Sequence, residues 1–229
     1  MDKTKKYYTM SIVLLGNFSP LMFQPYWFLH SGVLDQQEFD SIERDNKDKC
    51  IISGTLTAFE TNNFIVRVDA NKMSFIAKRE PFELLIDFIE KIYENLQGLY
   101  ITKFGINFSF HISVENEKNL KLIGDLVAPK EIWGKVFDYS HDTDVKKSGL
   151  ATMTMKIIKE SGYLNIKMEA SNLIRNALFF DFNNHFEKEK DDPYLFSDVI
   201  EIVKSNFKEL SEEDSNIVES LLSHLEDNE

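Results

Sequence analysis

A single cysteine, Cys50, stands in 229 residues, so the chain forms no intramolecular disulfide and no thiolate metal cage. That scarcity fits a reducing cytoplasm, and the place of Cys50 just before Ile51-Ile52 reads as a structural thiol at the start of a strand. Only five prolines and nine glycines occur, with no tract simple enough for a linker, so one compact body is expected. The nine glycines never gather as G-x-G or G-x-x-x-x-G-K, and G-x-S-x-G, H-E-x-x-H and a calcium loop are missing as well. Nucleotide chemistry by the usual phosphate loops is thereby disfavoured, and no cofactor is implied. Basic residues are also in deficit, 26 against 38 acidic ones for a net charge of −12, which opposes attraction to phosphate backbones and anionic membranes. The short Lys3–Lys6 run reads as a solvated tail. Long apolar runs are lacking too: Met10–Leu34 is interrupted by Asn17, Pro20, Gln24, Pro25 and His30, and Ser11–Gly16 is too short for a signal-peptide core.

What the chain does have is 43% hydrophobic and 13% aromatic residues, enough for a sizeable core. Residues 7–16 read as a first strand. Ser19-Pro20 and Gly32 frame short helical turns, and Asp35 with Glu38 has the spacing of a capping box. Residues 50–59, Phe64–Asp69 and Met73–Lys78 read as a three-stranded meander. In the segment from Pro81 to Gly98, Leu85, Ile86, Ile89, Ile92, Tyr93 and Leu96 form one helical stripe. The order then recurs, with a strand at Ile101–Val114, a helix over Asn119–Phe137 and strands at Leu150–Lys159, Tyr163–Glu169 and Ala177–Phe182. A helix carrying Leu195 to Leu210 follows. Ser211 and Asp214 then read as the cap of a separate final helix, and Asn184-His185 as the beginning of a long charged turn. The expected fold class is α+β, with two β-α-β-β-β-α halves, 1–98 and 99–229. Each has an antiparallel sheet covered on one face by helices, and together they read as a pseudo-duplicated single domain.

The run from Asn62 to Val114, a hairpin, a long helix and a strand beginning "ITKFGINF", and the closing stretch from Phe196 to Leu222 resemble an uncharacterised, sporadically distributed family of bacterial proteins of similar length. The resemblance covers about a third of the chain. It implies a bacterial origin and an accessory role such as conflict with phage or mobile elements, and it carries over no activity and no site residue.

Candidate functional residues come from three places. In Phe104–Val114 the apolar side chains alternate with Gly105, Asn107, Ser109, His111 and Ser113. A routinely solvated face holds more Lys and Glu than this, so Asn107, Ser109 and His111 are candidate binding residues on a shallow groove. Among the aromatics between Phe18 and Phe28, Tyr26 and Trp27 are candidates for anchoring a partner. Asp138, His141, Asp142 and Asp144 form a loop cluster whose residue types suit a divalent cation, but no second cluster completes a set, and no metal is expected. The functional expectation is a non-catalytic cytoplasmic subunit with a protein partner. The alternatives are a metal-assisted hydrolase drawing on His111, His185 and Asp181, and a DNA-binding or DNA-mimicking defence component.

Overall fold

The computed structural model describes residues 5–96, 98–114, 116–129, 150–188 and 192–226. The cluster at Asp138–Asp144 therefore lies outside the described residues, as does the end of the expected helix over Asn119–Phe137. Among the described residues, ten strands form one antiparallel sheet: β1 (Lys5–Gly16), β2 (Ile51–Ile52), β3 (Leu56–Glu60), β4 (Phe64–Asp69), β5 (Lys72–Ala77), β6 (Tyr100–Ser113), β7 (Thr152–Lys159), β8 (Gly162–Ala170), β9 (Ala177–Glu187) and β10 (Tyr194–Leu195). Their spatial order is β2-β3-β4-β5-β1-β6-β9-β8-β7, with β10 pairing the start of β6. The fold is α+β. In both parts of the sheet the first strand returns to lie beside the last long strand of its own meander, β1 beside β5 and β6 beside β9. The two sets then join through β1 and β6, antiparallel, with Ile12 opposite Ile106.

Period-2 patterning decides which side of this sheet is dry. Met10, Ile12 and Leu14 of β1, Phe104, Ile106, Phe108, Phe110 and Ile112 of β6, and Leu178, Phe180 and Phe182 of β9 all point to one face and are buried. On that face pack α1 (Pro25–His30), α2 (Gln36–Asp45), α3 (Glu83–Asn95), α4 (Glu117–Val127) and α5 (Phe196–Glu226). Helix α3 buries Leu85, Ile86, Phe88, Ile89 and Ile92, each worth about 1.5–3 kcal/mol of apolar transfer. Helix starts follow local chemistry: Asp35 Oδ1 accepts from the Glu38 amide at 2.8 Å, and Asn116 Oδ1 accepts from Asn119 at 2.9 Å.

Three expectations are corrected. The stretch 50–59 is two strands, because Ser53 Oγ accepts from the amides of Thr55 and Leu56 and folds the chain into a tight turn. Strand β9 runs on to Glu187, so Asn184 and His185 are strand residues on opposite faces and start no turn. Helix α5 is continuous through Ser211 and Asp214. Asp214 is buried and accepts from Asn184 Nδ2 at 3.2 Å, so the residue that reads as a cap is a packing contact. No helix among the described residues is long and apolar enough to cross a membrane.

Candidate binding face

The second face of the sheet, on which none of the described helices packs, collects the odd-numbered residues of β6 together with their cross-strand partners. Pairing places them in rows: Val13–Gly105–His185–Tyr163, then Ser11–Asn107–Asn183–Asn165–Lys156, then Thr9–Ser109–Asp181–Lys167, and finally His111–Phe179–Glu169. Asn107 and Ser109, two of the binding candidates, are therefore at the centre of the sheet, half-buried among small polar neighbours. Toward β5 and β4 the same face continues in half-buried apolar side chains, Val13, Leu15, Ile76 and Ile65.

Hydrogen bonds link the rows sideways. Asn107 Nδ2 donates to Ser11 Oγ at 3.2 Å, and the hydroxyls of Thr9 and Ser109 are 3.2 Å apart. Asp181 takes a hydrogen bond from Ser109, yet desolvation dominates and raises its carboxyl above the ordinary range. At the far side Lys103 Nζ meets Glu187 Oε2 at 2.7 Å, a contact that leads the causes holding Glu187 below the usual carboxylate value. Tyr163 stacks on His185 with ring centroids 4.4 Å apart, and Lys156 Nζ lies 3.7 Å from the Tyr163 ring centroid. Burial lowers the His185 imidazole, opposed by Glu187.

His111 is on this face but not open to it. It is 5% exposed, its Nδ1 is 2.8 Å from Ser171 Oγ, and its ring lies 4.9 Å from that of Phe179. Burial lowers its pKa. The Ser171 hydroxyl already accepts from the amides of Leu173 and Ile174, so its proton is directed at the imidazole, and the pair fastens the β8–β9 loop over the end of the sheet. His111 and His185 oppose Phe179 and Gly105, positions six residues apart on the ladder, or about 20 Å along the strands. Of the two histidines, His111 alone is a diagonal neighbour of Asp181.

The aromatic candidates separate as well. Trp27 packs on the core with Phe23 and Phe28 at centroid distances of 5.4 and 5.0 Å, whereas Tyr26 is 59% exposed against His30. Both are on α1, on the helix-bearing side and away from Asn107 and Ser109. Cys50 is partly buried, and desolvation raises its thiol pKa, which disfavours the reactive thiolate. Among the described residues no three of His, Cys, Asp and Glu gather as a metal site.

Asn165, Tyr163 and Lys156 are on the face without being candidates in the sequence, and Asn183 is readable there only as sharing a strand face with Asp181. The alternation of Asp181 and Asn183 with Phe180 and Phe182 was the available signal, but only register shows that β9 and β8 flank β6. No family model, curated protein or solved structure matches the chain.

Proposed function

We propose that this protein is a non-catalytic binding subunit that recognises a protein partner through the open face of its sheet. One observation carries the reading: small uncharged polar side chains at the centre of that face, Thr9, Ser11, Asn107, Ser109, Asn183 and Asn165, adjoin half-buried Val13, Ile76 and Ile65. Mixed polar and apolar surface poor in charge at its centre is the composition of a protein interface. The net charge of −12 favours a basic partner and disfavours nucleic acid. The setting implied by the family resemblance, an accessory role in a bacterial cytoplasm during conflict with phage or mobile elements, belongs to this proposal. The hydrolase alternative has less support, since His111 and His185 stand too far apart to share one substrate.

The test is affinity capture of the tagged chain from its native host, with and without nuclease, alongside three variants. Ser109→Arg and Asn165→Arg enlarge the open face, and Glu201→Lys alters the exposed side of α5. The reading expects a stoichiometric protein that survives nuclease, is retained by Glu201→Lys and is lost from both open-face variants. Capture that disappears with nuclease, or that fails only for Glu201→Lys, would overturn it. Displacement of the captured protein by added DNA would identify the chain as a mimic of nucleic acid.

A further inference from the structure

The sheet ends at β7, and no strand among the described residues pairs with its outer edge. An edge strand presents a row of unpaired N–H and C=O groups, and proteins that leave it unused shorten it, bulge it or guard it with proline or lysine. The opposite edge follows that rule, since β2 has two residues. Strand β7 does not. It is eight residues long, holds no proline or glycine, and pairs β8 without a register shift from Thr152–Glu169 to Lys159–Gly162. Its two lysines are both turned back over the chain: Lys156 Nζ lies 3.7 Å from the Tyr163 ring centroid, and Lys159 Nζ meets Glu213 Oε2 at 2.7 Å. On the helix-bearing side Met153, Met155 and Ile157 oppose the core residues Met168, Ile166 and Leu164, yet Met155 is 49% and Ile157 38% exposed. The dry layer thus runs past β8 into an apolar cleft of about 450 Å³, where Met155 adjoins the exposed Leu126 of α4 and Ile217 and Leu221 of α5.

We infer that β7 pairs with β7 of a second copy of this chain, antiparallel about a two-fold axis through Met155. A two-fold contact needs a strand that complements itself. With Met155 opposite Met155, Met153 falls opposite Ile157 on the helix-bearing side, while on the open side Thr154 opposes Lys156 and Thr152 opposes Ile158. Every apolar side chain of the core row then meets another, and no like charges stand directly opposite. Neighbouring axes fit less well. One at Lys156 sets two lysines against each other, one at Ile157 puts Met155 opposite Lys159, and one at Thr154 carries Ile157 past the end of the partner strand. Strand β7 has no acidic residue, and at about 0.15 M salt a screening length of about 8 Å reduces the long-range repulsion between two chains of net charge −12. The axis stands perpendicular to the sheet, so one sheet runs through both copies with all the described helices on one side. This inference does not depend on the open-face reading, but it places two open faces side by side as a bivalent surface.

The experiment is sedimentation velocity of the full chain at about 0.15 M salt, from about 1 to 200 μM, with thiol cross-linking beside it. The native chain should pass from one copy to two as concentration rises. Thr154→Lys sets a further cation against Lys156 twice in each dimer and should weaken association about three- to tenfold, whereas Thr154→Glu should tighten it by a similar factor. In a Cys50→Ser background, Met155→Cys should give a disulfide-linked dimer on mild oxidation, because the two positions face each other at about 4.5–5.5 Å between Cα atoms. Ile158→Cys should not, although Ile158 is 74% exposed, because its two copies stand about 20 Å apart along the strands. A chain that stays single at every concentration, or that cross-links through Ile158→Cys as readily as through Met155→Cys, would overturn the inference. Dimers indifferent to both changes at Thr154 would do the same, placing the contact elsewhere. Protection of the β7 backbone amides from hydrogen exchange only in the presence of a captured protein would also overturn it, and would give the edge to a strand of that protein.

Discussion

His111 shows how a residue that looks functional is held in a structural role. The imidazole is nearly sealed, bonded to Ser171 and tilted against Phe179, and burial sets its folded pKa below the value of about 6.5 in an unfolded chain. Between those two values the unfolded chain binds the proton more readily, so this contribution to stability is complete above about pH 7 and is lost as pH falls through 6.5. Urea unfolding of His111→Asn should therefore depend less steeply on pH between about 7 and 5 than unfolding of the native chain. An unchanged slope would show that the buried imidazole does not set it. Gly162 is the second residue with a single physical reason: its φ is +145° and an added Cβ would meet the His185 carbonyl oxygen at 2.0 Å. Backbone strain and a backbone clash act together there, and Gly162→Ala should cost about 3 kcal/mol or more in chemical denaturation. A loss under about 1 kcal/mol would mean that the β7–β8 turn rearranges freely.

Among the elements, α5 has the widest reach. Its 31 residues span about 46 Å and cross from the core around Phe196, Val199 and Val203 to the one around Val218 and Leu222. Between those apolar stretches Asp214 contacts Asn184, and the Tyr8 hydroxyl bonds Ser211. A polar contact in a dry layer fixes the register of the helix on the sheet more than it adds stability. Asn184→Leu and Asp214→Leu, each leaving its polar partner in apolar surroundings, should each cost about 2–4 kcal/mol, while the double replacement should cost less than either. Additive losses in that cycle would show the two residues to be energetically independent.

The same helix marks the boundary of what the sequence makes legible. Alternation in β4, β6 and β8 and the stripe of α3 are local periodicities, readable from neighbours a few positions apart. The spacing of Ser211 and Asp214 imitates a cap, and only contact with a residue 30 positions away reveals that Asp214 is interior. Asn184-His185 has turn composition, yet β6 and β8 on either side hold it extended. Asn107 and Ser109 stood out in the sequence, whereas Asn183 and Asn165 beside them depend on strand order, which residue patterns along one chain do not encode.

For the whole molecule, asymmetry between the two faces matters most. The five α-helices of the described residues, and most of the aromatic side chains among those residues, lie on one side. The other side is a broad, mostly half-buried surface on which charge is paired toward the flanks, as Lys103 with Glu187 and Lys167 with Glu169. Paired charges toward the flank and mostly uncharged polar groups around Asp181 at the centre suit recognition of a specific partner more than long-range attraction to any polyanion. Position 109, central on this face, and position 201, exposed on α5, thus distinguish the two sides of the protein. The most direct test installs the photoreactive residue p-benzoylphenylalanine in place of Ser109 or, in a separate chain, of Glu201, and irradiates each in the native host. The account expects a discrete cross-linked protein from position 109 and none from position 201. Cross-linking from position 201 alone would place recognition on the helices and contradict it.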